Sequence, residues 1–124
     1  MDRNAVFDYA NKKYKSTPEY LWARDPESAV LRHRDNNKWY ALIMNVTKDK
    51  LGLSGTEKVD ILNIKCDPET SGSLRMIKGI LAGYHMNKDN WISVLLDGSL
   101  DDNMICDLVD MSYDLTKDKN KNRK

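Results

Sequence analysis

Two pairs of apolar runs of strand length, each pair broken by a short polar turn, constrain this chain more than any other feature. The first pair is AVLRHR and KWYALIMNV around Asp35-Asn36-Asn37; the second is ILAGYHM and WISVLLD around Asn87-Lys88-Asp89-Asn90. Apolar runs on either side of a turn-forming cluster read as antiparallel hairpins. Between the two hairpins, VDILNIKC supplies one further strand. An antiparallel sheet buries one face, and that face needs a cover.

Helical patterns supply the cover. Residues 3 to 14 place Val6, Tyr9, Ala10 and Lys13 at helical spacing behind Asp2, a residue suited to capping. Asp67-Pro68-Glu69 starts a short helix expected to reach about Ile77, with the Asp67 carboxylate accepting from orphan backbone N–H groups. From Gly98-Ser99 a last helix is expected, with Leu100, Met104, Leu108, Met111 and Leu115 forming an apolar stripe flanked by Ile105 and Ser112. The order helix, three strands, helix, two strands, helix predicts an α+β two-layer sandwich, α-β(3)-α-β(2)-α, with helices on one face of an antiparallel sheet.

A length of 124 residues fits one domain. It is expected over residues 1–116, leaving 117–124, KDKNKNRK, as a basic tail with nothing apolar to bury. The segment Glu19 to Glu27 reads as an ordered connection whose Trp22 plugs the core, and residues 48 to 57, KDKLGLSGTE, as a mobile loop.

Charge is distributed unevenly. The formal net charge is +1, but the tail holds five of the 20 bases and one of the 19 acids, so the rest carries 15 and 18, a net of −3. Lys12, Lys13, Lys15, Arg24, Arg32, Arg34 and Lys38 make residues 12 to 38 locally basic, whereas residues 97 to 114 hold six Asp and no base. A polyanion should therefore meet the first region and avoid the last.

Enzyme motifs are lacking. His33 and His85 form no HxxH or HExxH pattern, Cys66 and Cys106 no CxxC, and no glycine-rich phosphate cradle occurs, so neither a metal site nor a nucleotide cofactor is expected. The cysteines read as buried thiols. Ser54 in GLSGT lacks the strand-turn-helix context of a nucleophile elbow and reads as a loop serine. No apolar run approaches the roughly 18 to 20 residues that span a bilayer, and the first residues hold no stretch of signal-peptide length, so the cytoplasm is the expected compartment.

One stretch is more specific. Lys65-Cys66-Asp67-Pro68, then Gly83-Tyr84-His85-Met86-Asn87-Lys88 with Trp91, then Leu96-Asp97-Gly98-Ser99-Leu100, then Ser112, Tyr113 and Leu115, in this order and spacing, resemble the MmcQ/YjbR family of small bacterial proteins. The chain departs from the family pattern at Asn90, where a His precedes the Trp, at Ala82, where Pro is common, and at Asp101, where Pro commonly follows Ser-Leu. The resemblance implies an α-β(3)-α-β(2)-α fold described as CyaY-like, a DNA-binding role and no catalytic residues. Many matched residues also have a purely architectural reading, as caps, turns and close backbone approaches.

With DNA as the expected partner, the candidate contacts are Arg32, Arg34 and Lys38 on the first hairpin and Asn87, Lys88 and Trp91 on the second. If Asn87 to Asn90 form a four-residue loop, Met86 opposes Trp91 and Tyr84 opposes Ser93, giving a stacking surface beside Lys88, while His85 falls on the core face with Ile92. The competing reading has these aromatics simply covered. The alternative function is a protein-interaction or chaperone-like module whose open sheet face receives a partner segment. A monomer is expected.

Overall fold

The computed structural model describes residues 1–117, and within them the order is α1 (Arg3–Tyr14), β1 (Ala29–Arg32), β2 (Trp39–Thr47), a 3-10 turn (Lys48–Leu51), β3 (Lys58–Lys65), α2 (Pro68–Leu74), β4 (Ile80–Ala82), β5 (Trp91–Leu95) and α3 (Asp102–Thr116). The strands form one sheet in the order β1-β2-β3-β5-β4, with every pairing antiparallel. The expected α+β architecture is therefore the observed one. The expected tail concerns residues of which 118–124 lie outside those described.

Caps set the helix limits. The Asp2 carboxylate accepts from the Ala5 N–H at 2.9 Å, and α1 closes at Lys15, whose left-handed φ of 60° turns the following N–H, that of Ser16, back to the Ala10 carbonyl at 3.4 Å. In α3 the cap is Asp101, accepting from the Met104 N–H at 2.8 Å, so the helix begins later than Gly98-Ser99. Those residues instead form a tight turn, in which the Asp97 carboxylate accepts from the Ser99 N–H and hydroxyl and Gly98 adopts φ 90°. In α2 the Asp67 side chain makes no capping bond; its carbonyl accepts from Thr70 and Ser71, and the helix ends at Leu74, short of Ile77.

All three helices pack on one face of the sheet. Val6 and Ala10 of α1, and Ile105, Leu108 and Val109 of α3, meet Ala41, Ile43, Leu62, Ile64, Ile92 and Val94, with Leu74 of α2 at the margin. The buried stripe of α3 runs through Ile105, Leu108, Val109, Ser112 and Thr116, rotated from the expected one so that Met104, Met111 and Leu115 are only half-buried. The reason is hydrogen bonding. Ser112 Oγ donates to the Tyr40 carbonyl at 2.6 Å and accepts from the Lys65 N–H at 2.8 Å, bolting α3 to β2 and β3, a bond that hydropathy counting scores as a polar residue facing water.

The opposite face carries a smaller cluster of Val46, Val59, Ile61 and Leu95. Leu51 and Leu53 pack on it, so residues 48 to 57 begin with an ordered 3-10 turn, closed by Gly52 at φ 77°, where a mobile loop was expected. Cys66 lies in the main core and Cys106 is half-buried, both as free thiols whose pKa burial pushes up.

Two charged clamps join the helices to each other and to the sheet. Arg3 of α1 donates twice to Asp60 of β3, at 2.9 and 2.8 Å. Asp110 of α3 accepts from Tyr14 at 2.5 Å, from Lys13 at 2.8 Å and from Tyr9, all of α1, and the Tyr14 ring stacks on Tyr113 with centroids 3.7 Å apart. Burial pushes the Asp110 carboxyl up, and the bonds from Lys13, Tyr14 and Tyr9 overcome it, leaving the group below its ordinary value. A depressed folded pKa contributes stability that is complete above the unfolded value of about 3.9 and is lost as pH falls through the folded one. Asp110→Asn should therefore cost about 1 to 3 kcal/mol near neutral pH. Chemical denaturation across pH should show that deficit shrinking below about pH 4.

Candidate functional site

Antiparallel order gathers the two hairpin turns at one end of the sheet. β2 and β5 both flank β3, and both begin where β3 ends, with Ala41 opposite Ile64 and Trp91 opposite Lys65. The turn at 33–38 and the loop at 83–90 thus lie about two strand spacings, or roughly 10 Å, apart. The end of α3 joins them: Asn36 donates to the Thr116 carbonyl at 3.1 Å, and buried His33 bonds the Thr116 hydroxyl at 2.8 Å. That hydroxyl also donates to the Ser112 carbonyl, and burial keeps the His33 ring pKa below its ordinary value.

The sequence candidates meet different fates here. Arg34 and Lys38 are exposed on the first turn, which is shaped by Asn37 at φ 61° and by the Asn36 side chain accepting from the Lys38 N–H. Arg32 is spoken for, as its guanidinium forms a two-bond pair with the Glu19 carboxylate and ties β1 to the preceding segment. Asn87 is exposed, and its side chain accepts from the Asp89 N–H at 2.9 Å, turning the second loop. Lys88 curls back to donate to the Gly83 carbonyl at 2.9 Å while remaining exposed. Trp91 opens β5, half-buried, and belongs to neither apolar cluster.

The register of the second hairpin differs from expectation. β4 ends at Ala82, and Leu81 opposes Ser93 where Tyr84 was expected, a slip of three residues that enlarges the loop to 83–90. An odd slip exchanges the two faces. His85, expected in the core, is exposed at φ 59° against the Tyr84 ring, whereas Tyr84 keeps the non-core face expected of it, packed on the open-face cluster. Gly83 is held so close that a Cβ there would meet the Trp91 carbonyl oxygen at 2.8 Å.

A buried polar node drives this slip. Asn63, at 0% exposure in the middle of β3, donates to the Tyr84 carbonyl at 3.1 Å and accepts from Ser93 Oγ, which itself accepts from the Tyr84 N–H at 2.8 Å. Both backbone groups of Tyr84 are thereby satisfied by buried side chains, and the loop folds across the open face. Sequence reasoning passed over Asn63 and read Ser93 only as the residue opposite Tyr84; the available signal was one polar residue within each of the apolar runs ILNI and WISVL.

The loop completes a groove of about 320 Å³, lined by Trp22, Trp39, Leu42, Met44 and Met86, with Arg24, Asp25, Ser28 and His85 beside them. Trp22 is not the expected core plug: it is half-buried on the open face, edge-on to Trp39 with ring centroids 5.6 Å apart. Trp39 reaches that face through a β-bulge, since Leu31 pairs with Ala41 but Arg32 with Trp39, and the extra residue, Tyr40, turns with Ala41 into the main core. A second, polar cleft of about 360 Å³ lies beside the first turn and includes Lys15, Ser16, Arg32, His33 and Arg34. Among the described residues no group of three His, Cys, Asp or Glu is placed to hold a metal ion, and no helix is long and apolar enough to cross a membrane.

A five-stranded antiparallel sheet closed by helices on one face and grooved by aromatics on the other defines a small α+β protein. The chain belongs to the YjbR family, whose model matches residues 11–115, well beyond the segment on which the resemblance rested. It is 46% identical to the Bacillus subtilis protein YyaQ over 117 residues, covering 94% of this chain and 99% of that one, and 38% identical to the Escherichia coli O157:H7 protein YbdF, covering 95% and 89%. A crystal structure of a Pseudomonas syringae protein, 46% identical, superposes with a TM-score of 0.92 over 94% of this chain and all of that one.

The node can be tested directly. Asn63→Leu leaves the Tyr84 carbonyl without its partner and should cost about 1 to 3 kcal/mol by chemical denaturation. Amide hydrogen exchange should accelerate at residues 84–91 more than in β2.

Proposed function

We propose that the chain is a non-catalytic, cytoplasmic nucleic-acid-binding protein, with DNA its foremost partner, acting through the sheet end that carries both hairpin turns. The observation that carries this reading is the convergence of exposed cations. Arg34 and Lys38 on the first turn and Lys88 on the second lie at the same end, with Lys15 and Arg34 sharing the polar cleft; Lys117, one residue past α3, is half-buried and paired with Asp114 at 3.5 Å. Beyond Lys117 the sequence adds four more bases and one acid. The Asp-rich stretch is segregated along α3, where Asp101 and Asp102 serve the helix start and Asp110 is consumed by α1.

Each candidate residue has a role in this reading. Arg34, Lys38 and Lys88 neutralise phosphates, the last with the ammonium protons not given to Gly83. Arg32, engaged by Glu19, and Asn87, engaged by its own loop, hold the turns in place. Trp91 anchors the second loop from behind through its contact with Gly83. A second reading, a polypeptide partner seated on the open face, draws on the apolar walls of the Trp22–Trp39 groove.

The reading predicts DNA affinity that falls steeply with salt. Arg34→Ala and Lys38→Ala should each reduce the slope of log affinity against log salt by about one unit without lowering the melting temperature appreciably. Titrations at several salt concentrations measure this. Affinity independent of salt, or slopes unchanged in both variants, would contradict it.

A further inference from the structure

Phosphate neutralisation at the sheet end leaves the open-face groove without a use. Its walls are Trp22, Trp39, Leu42, Met44 and Met86, and its one carboxylate, Asp25, is engaged by the Ser28 hydroxyl at 2.5 Å. Such walls offer a phosphate nothing, but they suit a flat ring. The surroundings are different. Arg24 lines the groove, exposed and paired with no carboxylate among the described residues, while Lys38 and Lys88 lie outside the lining, exposed on the turn before Trp39 and in the loop that carries Met86.

An aromatic recess with a guanidinium in its lining, and lysines on the adjoining turn and loop, complements a molecule that alternates flat rings with anionic groups. We propose that the groove seats an unpaired nucleobase, so that the nucleic acid bound at the sheet end is single-stranded; this rests on the nucleic-acid reading above. A base inside a duplex is stacked on both faces and paired along its edge, and it reaches a recess only if it is flipped out. A single strand presents each ring freely, with phosphates on both sides to meet the neighbouring cations. A polypeptide is the rival occupant, and the backbone closes one route to it. Strand addition needs a free sheet edge. The groove lies on a face of β2, whose two edges are taken by β1 and β3, and at the outer edge of β1 Val30 already exchanges two hydrogen bonds of 3.0 Å with Glu19.

Fluorescence anisotropy decides the matter, using a labelled oligothymidylate and a hairpin duplex of equal length, on the intact chain and on Trp39→Leu and Trp22→Leu. The intact chain should prefer the oligothymidylate, and each substitution should weaken that binding about tenfold while leaving duplex binding unchanged. Trp22 lies outside every strand, so its variant keeps the test open if Trp39→Leu fails to fold, which a melting curve reveals. Equal affinity for the two DNA forms, unaltered in both variants, would overturn the base seat while sparing the sheet-end reading. Absence of binding to either form would overturn both. A labelled leucine-rich peptide whose binding both substitutions abolish, alongside unaltered oligothymidylate binding, would assign the groove to a polypeptide.

Discussion

A fully buried asparagine in the central strand sets the geometry on which the open face depends. β3 has a neighbour on each edge and apolar packing on both faces, so Asn63 cannot reach water, and an unpaired amide there would cost several kcal/mol. Its partners are Ser93 on the adjacent strand and the backbone of Tyr84 beyond the end of β4. Meeting them requires the chain to leave β4 at Ala82 and fold back over the sheet, which brings Met86 and His85 beside Trp39. Register, loop length and groove therefore share one cause.

Element order was legible because it rests on local signals. Hydrophobic period, the capping residue Asp2, and the turn clusters around Asn36 and Asp97 all act within a few residues, and the structure uses each of them. What was not legible depends on contacts between distant positions. The four polar residues Asn87 to Asn90 suggest a short loop, and only the distant Asn63 overrules them. The buried face of α3 is set by Ser112 and Thr116, polar residues whose partners, Tyr40, Lys65 and His33, come from strands and a turn far away in sequence. The bulge at Tyr40 places Trp39 on the open face through one extra residue that no periodicity announces.

The candidate site was legible in part. Placing Arg34, Lys38, Asn87 and Lys88 together at one end of the sheet needed only the antiparallel order. Counting cations overstated what is free, since Arg3 is committed to Asp60, Arg32 to Glu19 and Lys13 to Asp110, all as architecture. The groove escaped notice because Trp22 and Trp39 lie in different elements, and nothing in the sequence between them says that they meet. Several residues that carried the family resemblance prove to be structural: Gly83 admits the Trp91 backbone, Asp97-Gly98-Ser99 turns β5 toward α3, and Ser112 bolts that helix down.

The central claim is that the sheet end and the open face form one continuous surface for a nucleic-acid strand. Amide and indole chemical-shift mapping of the labelled chain, titrated with an oligothymidylate, tests it most directly. Shifts should concentrate at residues 33–39 and 83–91 and at the indoles of Trp22 and Trp39, with Asp102 and Asp107, exposed acids toward the far end of α3, unaffected. Shifts confined to α3, or no shifts at saturating oligonucleotide, would contradict it.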